Sequence, residues 1–233
     1  MNIVITGGSK GMGKAIAMRF AAANHHILLN ARTESTLKET ALEILHAHPD
    51  STVQFCAADL STREGVATLV HHIQSQSLKV DVLVNNAGIF LPGSVHNEPE
   101  GTLDTMIQTN LYSAYHLTRA LLPQMMKRRQ GHIFNMCSIA SFQAYPNGGA
   151  YSISKFALSG FSKNLREEMK PHNIKVTAVY PGAVYTDSWS GSGLPESRFI
   201  CSEDVAELIF AASQLSPSAC MEEIIIRPQE GDI

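Results

Sequence analysis

Apolar positions along the chain follow two alternating periods. Short runs rich in Val, Ile and Leu, of the kind that fill buried parallel strands, occupy residues 2–6, 26–30, 52–57, 80–85, 132–137, 175–180 and 223–227. Between them, apolar residues recur at three- and four-residue spacing over 14–23, 34–46, 64–76, 103–127 and 150–170, which predicts amphipathic helices. Alternating strands and helices imply parallel pairing, because a parallel neighbour can be reached only through a crossover of helical length. Right-handed crossovers place helices on both faces of a doubly wound, seven-stranded α/β sheet, and its ligand crevice opens at the carboxyl ends of the strands. Side chains that do chemistry are therefore expected just after strands. No repeat or low-complexity run interrupts the pattern, so residues 1–233 are expected to form a single domain. One segment, 183–201, carries Gly191, Gly193 and Pro195 and neither period; a loop of that length over the crevice is expected to act as a substrate lid.

Composition removes several classes of function. Hydrophobic residues at 44% and charged residues at 17% support a packed core rather than a disordered chain. A formal net charge of -3 with scattered Lys and Arg leaves no basic stripe for a phosphate backbone, so nucleic acid is not an expected partner. Met1 runs directly into Ile3-Val4-Ile5 without the regions of a secretory leader, and no apolar window is long enough to span a membrane. Cys56, Cys137, Cys201 and Cys220 form no C-x-x-C pair and read as free thiols in a reducing compartment, which makes the cytoplasm the expected location. The histidine pairs His25-His26 and His71-His72 are adjacent, so their side chains diverge; no metal site is expected.

The first candidate chemistry follows the first strand. Gly7-Gly8-Ser9-Lys10-Gly11-Met12-Gly13 opens a helix, and such a loop lets backbone N–H groups approach a pyrophosphate resting on the positive helix end. After the second strand, Leu29-Asn30-Ala31-Arg32-Thr33 offers no acid to accept ribose hydroxyls, while Arg32 presents a planar fork suited to a 2′-phosphate. NADP(H) is therefore expected rather than NAD.

The spacing Thr6-Gly7-x-x-x-Gly11-x-Gly13 resembles the glycine motif of the short-chain dehydrogenase/reductase family, and the family's other landmarks stand in order. Asn85-Asn86-Ala87-Gly88 follows the fourth strand, Ser138 the fifth, Tyr151-Ser152-Ile153-Ser154-Lys155 opens the next helix, and Pro181-Gly182 follows the sixth strand. The resemblance spans essentially the whole chain and implies a Rossmann sheet with a catalytic tetrad of Asn110, Ser138, Tyr151 and Lys155. It implies further that the cofactor is held by Gly7, Ser9, Lys10, Gly11, Met12, Gly13 and Arg32, by Asp59 and Leu60 at the adenine, and by Asn86, Ala87 and Gly88 along its middle. Tyr151 and Lys155 would meet the ribose, and Pro181, Gly182, Val184 and Thr186 the nicotinamide. For Asp59 an alternative reading is a cap of the following helix.

Tyr151 and Lys155, four apart on a predicted helix, share a face. A phenol normally ionises near pH 10, so a phenolate near neutrality needs about 4 kcal/mol of preferential stabilisation. A lysine charge supplies roughly 4 kcal/mol at about 4 Å and an effective dielectric of about 20, and under about 3 at 6 Å. Ser138 would donate to a substrate oxygen on which charge builds, and neither a Gly-x-Ser-x-Gly elbow nor a neighbouring His supports a hydrolase. The expected reaction is hydride transfer between nicotinamide and a carbonyl or secondary alcohol of a small substrate, with Tyr151 as acid/base. By resemblance Asn110 orders a proton relay to Lys155; the alternative is a buried helix kink.

Substrate choice is expected to lie in Phe90, Leu91, residues 139–145 and the lid, with Phe142, Tyr145, Trp189 and Phe199 as aromatic walls. Residues 181–189 and 222–228 resemble sepiapterin-reductase-like members of the family, which leaves a pterin side-chain carbonyl as one alternative substrate. A 3-oxoacyl thioester is another, with Lys127, Arg128 and Arg129 available to a carrier. An NADPH-sensing module without catalysis is the alternative of a different class. The resemblance also implies a homodimer or homotetramer through the helices bearing Asn110 and Tyr151.

Overall fold

The computed structural model describes residues 1–186, 191 and 193–232. Its strands are β1 (Asn2–Thr6), β2 (His26–Ala31), β3 (Thr52–Ala57), β4 (Val82–Asn85), β5 (Gly131–Met136), β6 (Ile174–Pro181) and β7 (Glu223–Ile226). Between them run α1 (Gly11–Ala21), α2 (Glu34–Ala47), α3 (Arg63–Ser75), α4 (Thr102–Ile107), α5 (Ser113–Arg128), α6 (Gly149–Met169) and α7 (Ser202–Ser213). The strands form one parallel sheet in the order β3-β2-β1-β4-β5-β6-β7. This is the doubly wound arrangement expected from the apolar periods, with the chain reversing direction across the sheet between β1 and β4.

Alternation along β1 shows why the strands read as continuous apolar runs. Ile3 and Ile5 face a core built with α1, α2 and α7, whereas Val4 joins Leu69, Leu117 and Leu165 of α3, α5 and α6 on the other side. Both faces of a central strand are thus dry. The start of α3 is set locally: Thr62 caps it by accepting from the Gly65 N–H at 3.0 Å, a contact typically worth about 1 kcal/mol.

Two expectations need correction. The helix expected over 103–127 is two α-helices joined by a π-helical turn, Gln108–Tyr112, which carries Asn110 at its centre. Such a turn squeezes an extra residue into the ladder and rotates one side chain inward, which an apolar period cannot reveal. The segment 183–201 is also less irregular than expected. Val184 bridges Ile200, the Ile200 N–H donates to Ala183 O at 2.9 Å, and a 3-10 turn forms at Glu196–Arg198. Trp189 lies outside the described residues. Among the described residues, no helix is long and apolar enough to cross a membrane.

Candidate active site

The glycine loop after β1 is held by side chains from the end of β4 and from α2. Asn86, just past β4, donates from Nδ2 to Thr6 O and Gly7 O, both at 3.0 Å. In return Thr6 Oγ1 accepts from the Asn86 and Ala87 N–H groups at 3.0 and 2.9 Å, and Thr40 of α2 donates to Ser9 O at 2.8 Å. Gly7 and Gly11 adopt φ of 62° and 52°, a region that favours glycine. A β-carbon on Gly13 would lie 2.2 Å from Gly7 O, so Gly13 lets α1 pack on the loop and does not itself line the cleft. The α1 N-terminus has no side-chain cap and no acid in its first turn, leaving its N–H groups and positive end for an anion.

In front of this loop lies a cleft of about 570 Å³. It is lined by Gly7, Ser9, Lys10, Gly11, Met12, Arg32, Asp59, Leu60, Asn86, Ala87, Gly88 and Thr186, the expected cofactor residues of this half of the site. Lys10 and Arg32 open onto it together; Glu39 and Glu43 line the same cleft from α2, and Glu43 is ion-paired with Lys14. Asp59 is not the cap of α3, a role that belongs to Thr62. Its carboxylate folds back to accept from Ser61 N and Oγ at 3.0 and 2.8 Å, shaping the cleft rim.

A second cavity of about 330 Å³ adjoins the first, and Met12, Asn86, Gly88, Ile89 and Thr186 line both. Ser138, Tyr151 and Lys155 meet here, with Pro181, Gly182 and Val184 on the far side. Ser138 Oγ accepts from the Ala140 N–H at 3.2 Å and lines the cavity together with Tyr151. Burial pushes the Tyr151 phenol up from its ordinary value, and the neighbouring Ser138 side chain opposes that rise without cancelling it. Lys155 Nζ donates to Met136 O at 2.7 Å and stands 5.7 Å from the Tyr151 ring centre. Burial also lowers Lys155, to about 8.

Asn110 stands behind Gly88, whose added β-carbon would lie 3.2 Å from Asn110 Oδ1 and 3.7 Å from Lys155 Nζ. The Asn110 amide accepts from Ile89 N at 2.7 Å and donates to Ile89 O at 3.0 Å and Ser154 Oγ at 2.9 Å. The π turn thus places the buried Asn110 against Gly88, Ile89 and Ser154.

The substrate side agrees only in part. Phe90 meets Tyr151 edge-on, ring centres 5.0 Å apart, and lines the cavity with Tyr145. Phe142 does not line it; that ring packs edge-on against Tyr180 at 5.4 Å with Arg227 over it at 5.9 Å. Phe199 is buried beside Tyr185, and Leu91 is outward-facing. In their place the cavity gains Gln143 and Asp232. Arg227 ties the two together, donating to Gln143 Oε1 at 2.9 Å and pairing with Asp232 Oδ2 at 3.1 Å. Thr6 and Ser154 stand in the quoted motifs and Gln143 in the expected 139–145 segment without being singled out, whereas Asp232 bears no signal in the sequence.

Residues 1–195 match the sequence profile of short chain dehydrogenases. The chain belongs to the short-chain dehydrogenase family. It is an oxidoreductase of that family, and the profile match covers the glycine loop, Ser138, Tyr151 and Lys155. A curated relative, the sepiapterin reductase of Chlorobaculum tepidum, is 34% identical over 99% of this chain and 97% of its own. Among solved structures, a metagenomic short-chain oxidoreductase in complex with NADP superposes with a TM-score of 0.86 at 29% identity, covering 98% of this chain and 97% of its own. The L-sorbose reductase of Gluconobacter frateurii, complexed with NADPH and L-sorbose, superposes with a TM-score of 0.89 at 29% identity, covering 97% and 95%.

Proposed function

We propose that this short-chain dehydrogenase is an NADP(H)-dependent carbonyl reductase of a small substrate, with Tyr151 as proton donor in reduction and acceptor in oxidation. The observation that carries the reading is the convergence of Ser138, Tyr151 and Lys155 in a cavity continuous with the glycine-loop cleft. A bound nicotinamide supplies hydride and, once oxidised, positive charge beside the phenol. Lys10 and Arg32 take the 2′-phosphate, for which no acid at the end of β2 competes. Lys155 holds the ribose and, with Asn110 behind it, passes protons to Tyr151. Ser138 donates to the substrate oxygen and stabilises the charge that develops there.

The cavity favours a compact, flat substrate. Phe90 and Tyr145 form its aromatic walls, and Gln143 and the Arg227-paired Asp232 add polar groups beside them. That arrangement, with the Chlorobaculum relative, supports reduction of a pterin side-chain carbonyl as the second reading. Outward-facing Ile153 and Phe156 of α6 and Tyr112 of the π turn favour self-association as a dimer or tetramer. The four free cysteines suit a reducing cytoplasm.

The test is NADPH oxidation against a panel of diketones, aldehydes, 3-oxoacyl thioesters and sepiapterin, with NADH and Tyr151→Phe alongside. NADPH-dependent, Tyr151-dependent turnover supports the reductase, and preference for sepiapterin supports the pterin reading. Tight NADPH binding with no turnover by any member would instead favour the sensing module.

A further inference from the structure

Helix α6 carries Tyr151 in its first turn, yet nothing in its own sequence caps it. Gly148 at the cap position has no side chain, and no acid lies in the first turn. The first N–H groups of a helix have no partner within it. For Ala150 the partner comes from 52 residues away: its N–H donates to Glu98 Oε2 at 3.0 Å. Glu98 sits on the loop between β4 and α4, and that loop is fitted to the helix start with little slack. A β-carbon on Gly149 would lie 2.5 Å from Glu98 Oε2 and 2.5 Å from Gly93 O, and one on Gly93 would lie 2.8 Å from Glu98 Cβ. The Gly93 N–H donates to Asn147 O at 3.2 Å, and Ser94 Oγ donates to Asn147 Oδ1 at 3.0 Å. The same loop brings Phe90 against the Tyr151 ring.

We propose that Glu98 is a positioning residue for the reaction. Its carboxylate, by accepting the Ala150 N–H, clasps the β4–α4 loop to the first turn of α6 and so sets the Tyr151 phenol and the Phe90 wall relative to the cofactor cleft. Its negative charge at the positive helix end strengthens the contact. Glu98 stands outside both cavities and touches neither substrate nor cofactor there. The inference rests on the reading of Tyr151 as acid/base, and the experiment separates the two.

Full-length Glu98→Ala, Glu98→Asp and Glu98→Gln are compared with wild type by amide exchange at Ala150, by NADPH affinity and by steady-state reduction of whichever carbonyl in the panel above the wild type accepts. Alanine and the shorter aspartate should speed Ala150 exchange and lower kcat by about 10- to 100-fold, the scale on which a misplaced catalytic group acts, with NADPH affinity within about twofold. Glutamine, which keeps the acceptor oxygen and its reach, should restore most of kcat. Unchanged exchange at Ala150 in Glu98→Asp overturns the clasp whatever the activity, and fast exchange with wild-type kcat overturns the positioning role. Absence of wild-type turnover with every carbonyl defeats the Tyr151 reading instead, leaving the exchange arm to decide the clasp.

Discussion

Gly13 packs so closely on Gly7 that a β-carbon at Gly13 would stand 2.2 Å from the Gly7 carbonyl oxygen. No rotamer relieves such a contact, because the atom it meets is backbone. Gly13→Ala must therefore push α1 away from the loop, with a cost of about 1–3 kcal/mol by analogy with overpacked interiors. We expect the variant to fold with a lowered melting temperature and, because the displaced loop misplaces its N–H groups, to bind NADPH about tenfold more weakly, a change of about 1.4 kcal/mol. Fluorescence titration with NADPH measures this; undiminished affinity would place the phosphates elsewhere.

Tyr151→Phe removes the acid without disturbing the Phe90 contact, which is made ring to ring at 5.0 Å. General acid catalysis contributes about 10²- to 10⁴-fold, and kcat should drop by that order while NADPH affinity holds. Retained turnover in a stopped assay would sink the assignment.

Arg32→Ala tests cofactor choice. A charge-assisted contact to a phosphate is worth about 1.5–3 kcal/mol, so KM for NADPH should rise by roughly ten- to a hundredfold while KM for NADH stays put. An equal change for both dinucleotides would mean that Arg32 does not read the 2′-phosphate.

His132 predicts an acid-labile fold. Its ring stacks on Phe134 at 3.9 Å in the sheet, and Nε2 lies 2.7 Å from Thr177 Oγ1. Thr177 donates its own proton to Met221 O at 2.6 Å, so it accepts from His132, which puts the ring proton on Nε2 and leaves buried Nδ1 without a partner. Burial, aided by the charges of Lys175 and Arg166, lowers His132 to about 3. The unfolded chain binds a proton near pH 6.5 that the folded chain refuses, so this group's contribution is intact above pH 6.5 and declines as pH falls toward 3. The slope should approach about 1.4 kcal/mol per pH unit. Urea unfolding from pH 7 to 5 should show that slope in the wild type and lose it in His132→Phe; identical slopes would refute the assignment.

Much of the site was legible because its motifs sit where local periodicity changes. A glycine cluster after an apolar run, or a Tyr and Lys four apart at a helix start, marks its own place in a βα unit. Substrate residues were less legible. Phe142 and Phe199 stand in suitable segments, yet packing turned one toward Tyr180 and buried the other. Gln143 falls in the expected 139–145 segment, but Asp232, which also lines the cavity, lies beyond α6, β6, α7 and β7 and shares no pattern with it.

The sequence by itself determined the strand-helix alternation, hence the parallel sheet, and the crevice at its carboxyl edge where Gly7, Ser138 and Tyr151 stand. These follow from period and from short-range sterics, which act within a few residues. Tertiary structure alone decided that Asn110 turns inward on a π turn, that Asp232 returns from the chain's end to the cavity, and that Glu98 caps the helix of Tyr151. Each of those contacts joins residues far apart along the chain or depends on an extra residue in a helix. Their partners are chosen by packing once the sheet has brought the elements together, and periodicity reports which face a residue takes but not what it will meet there.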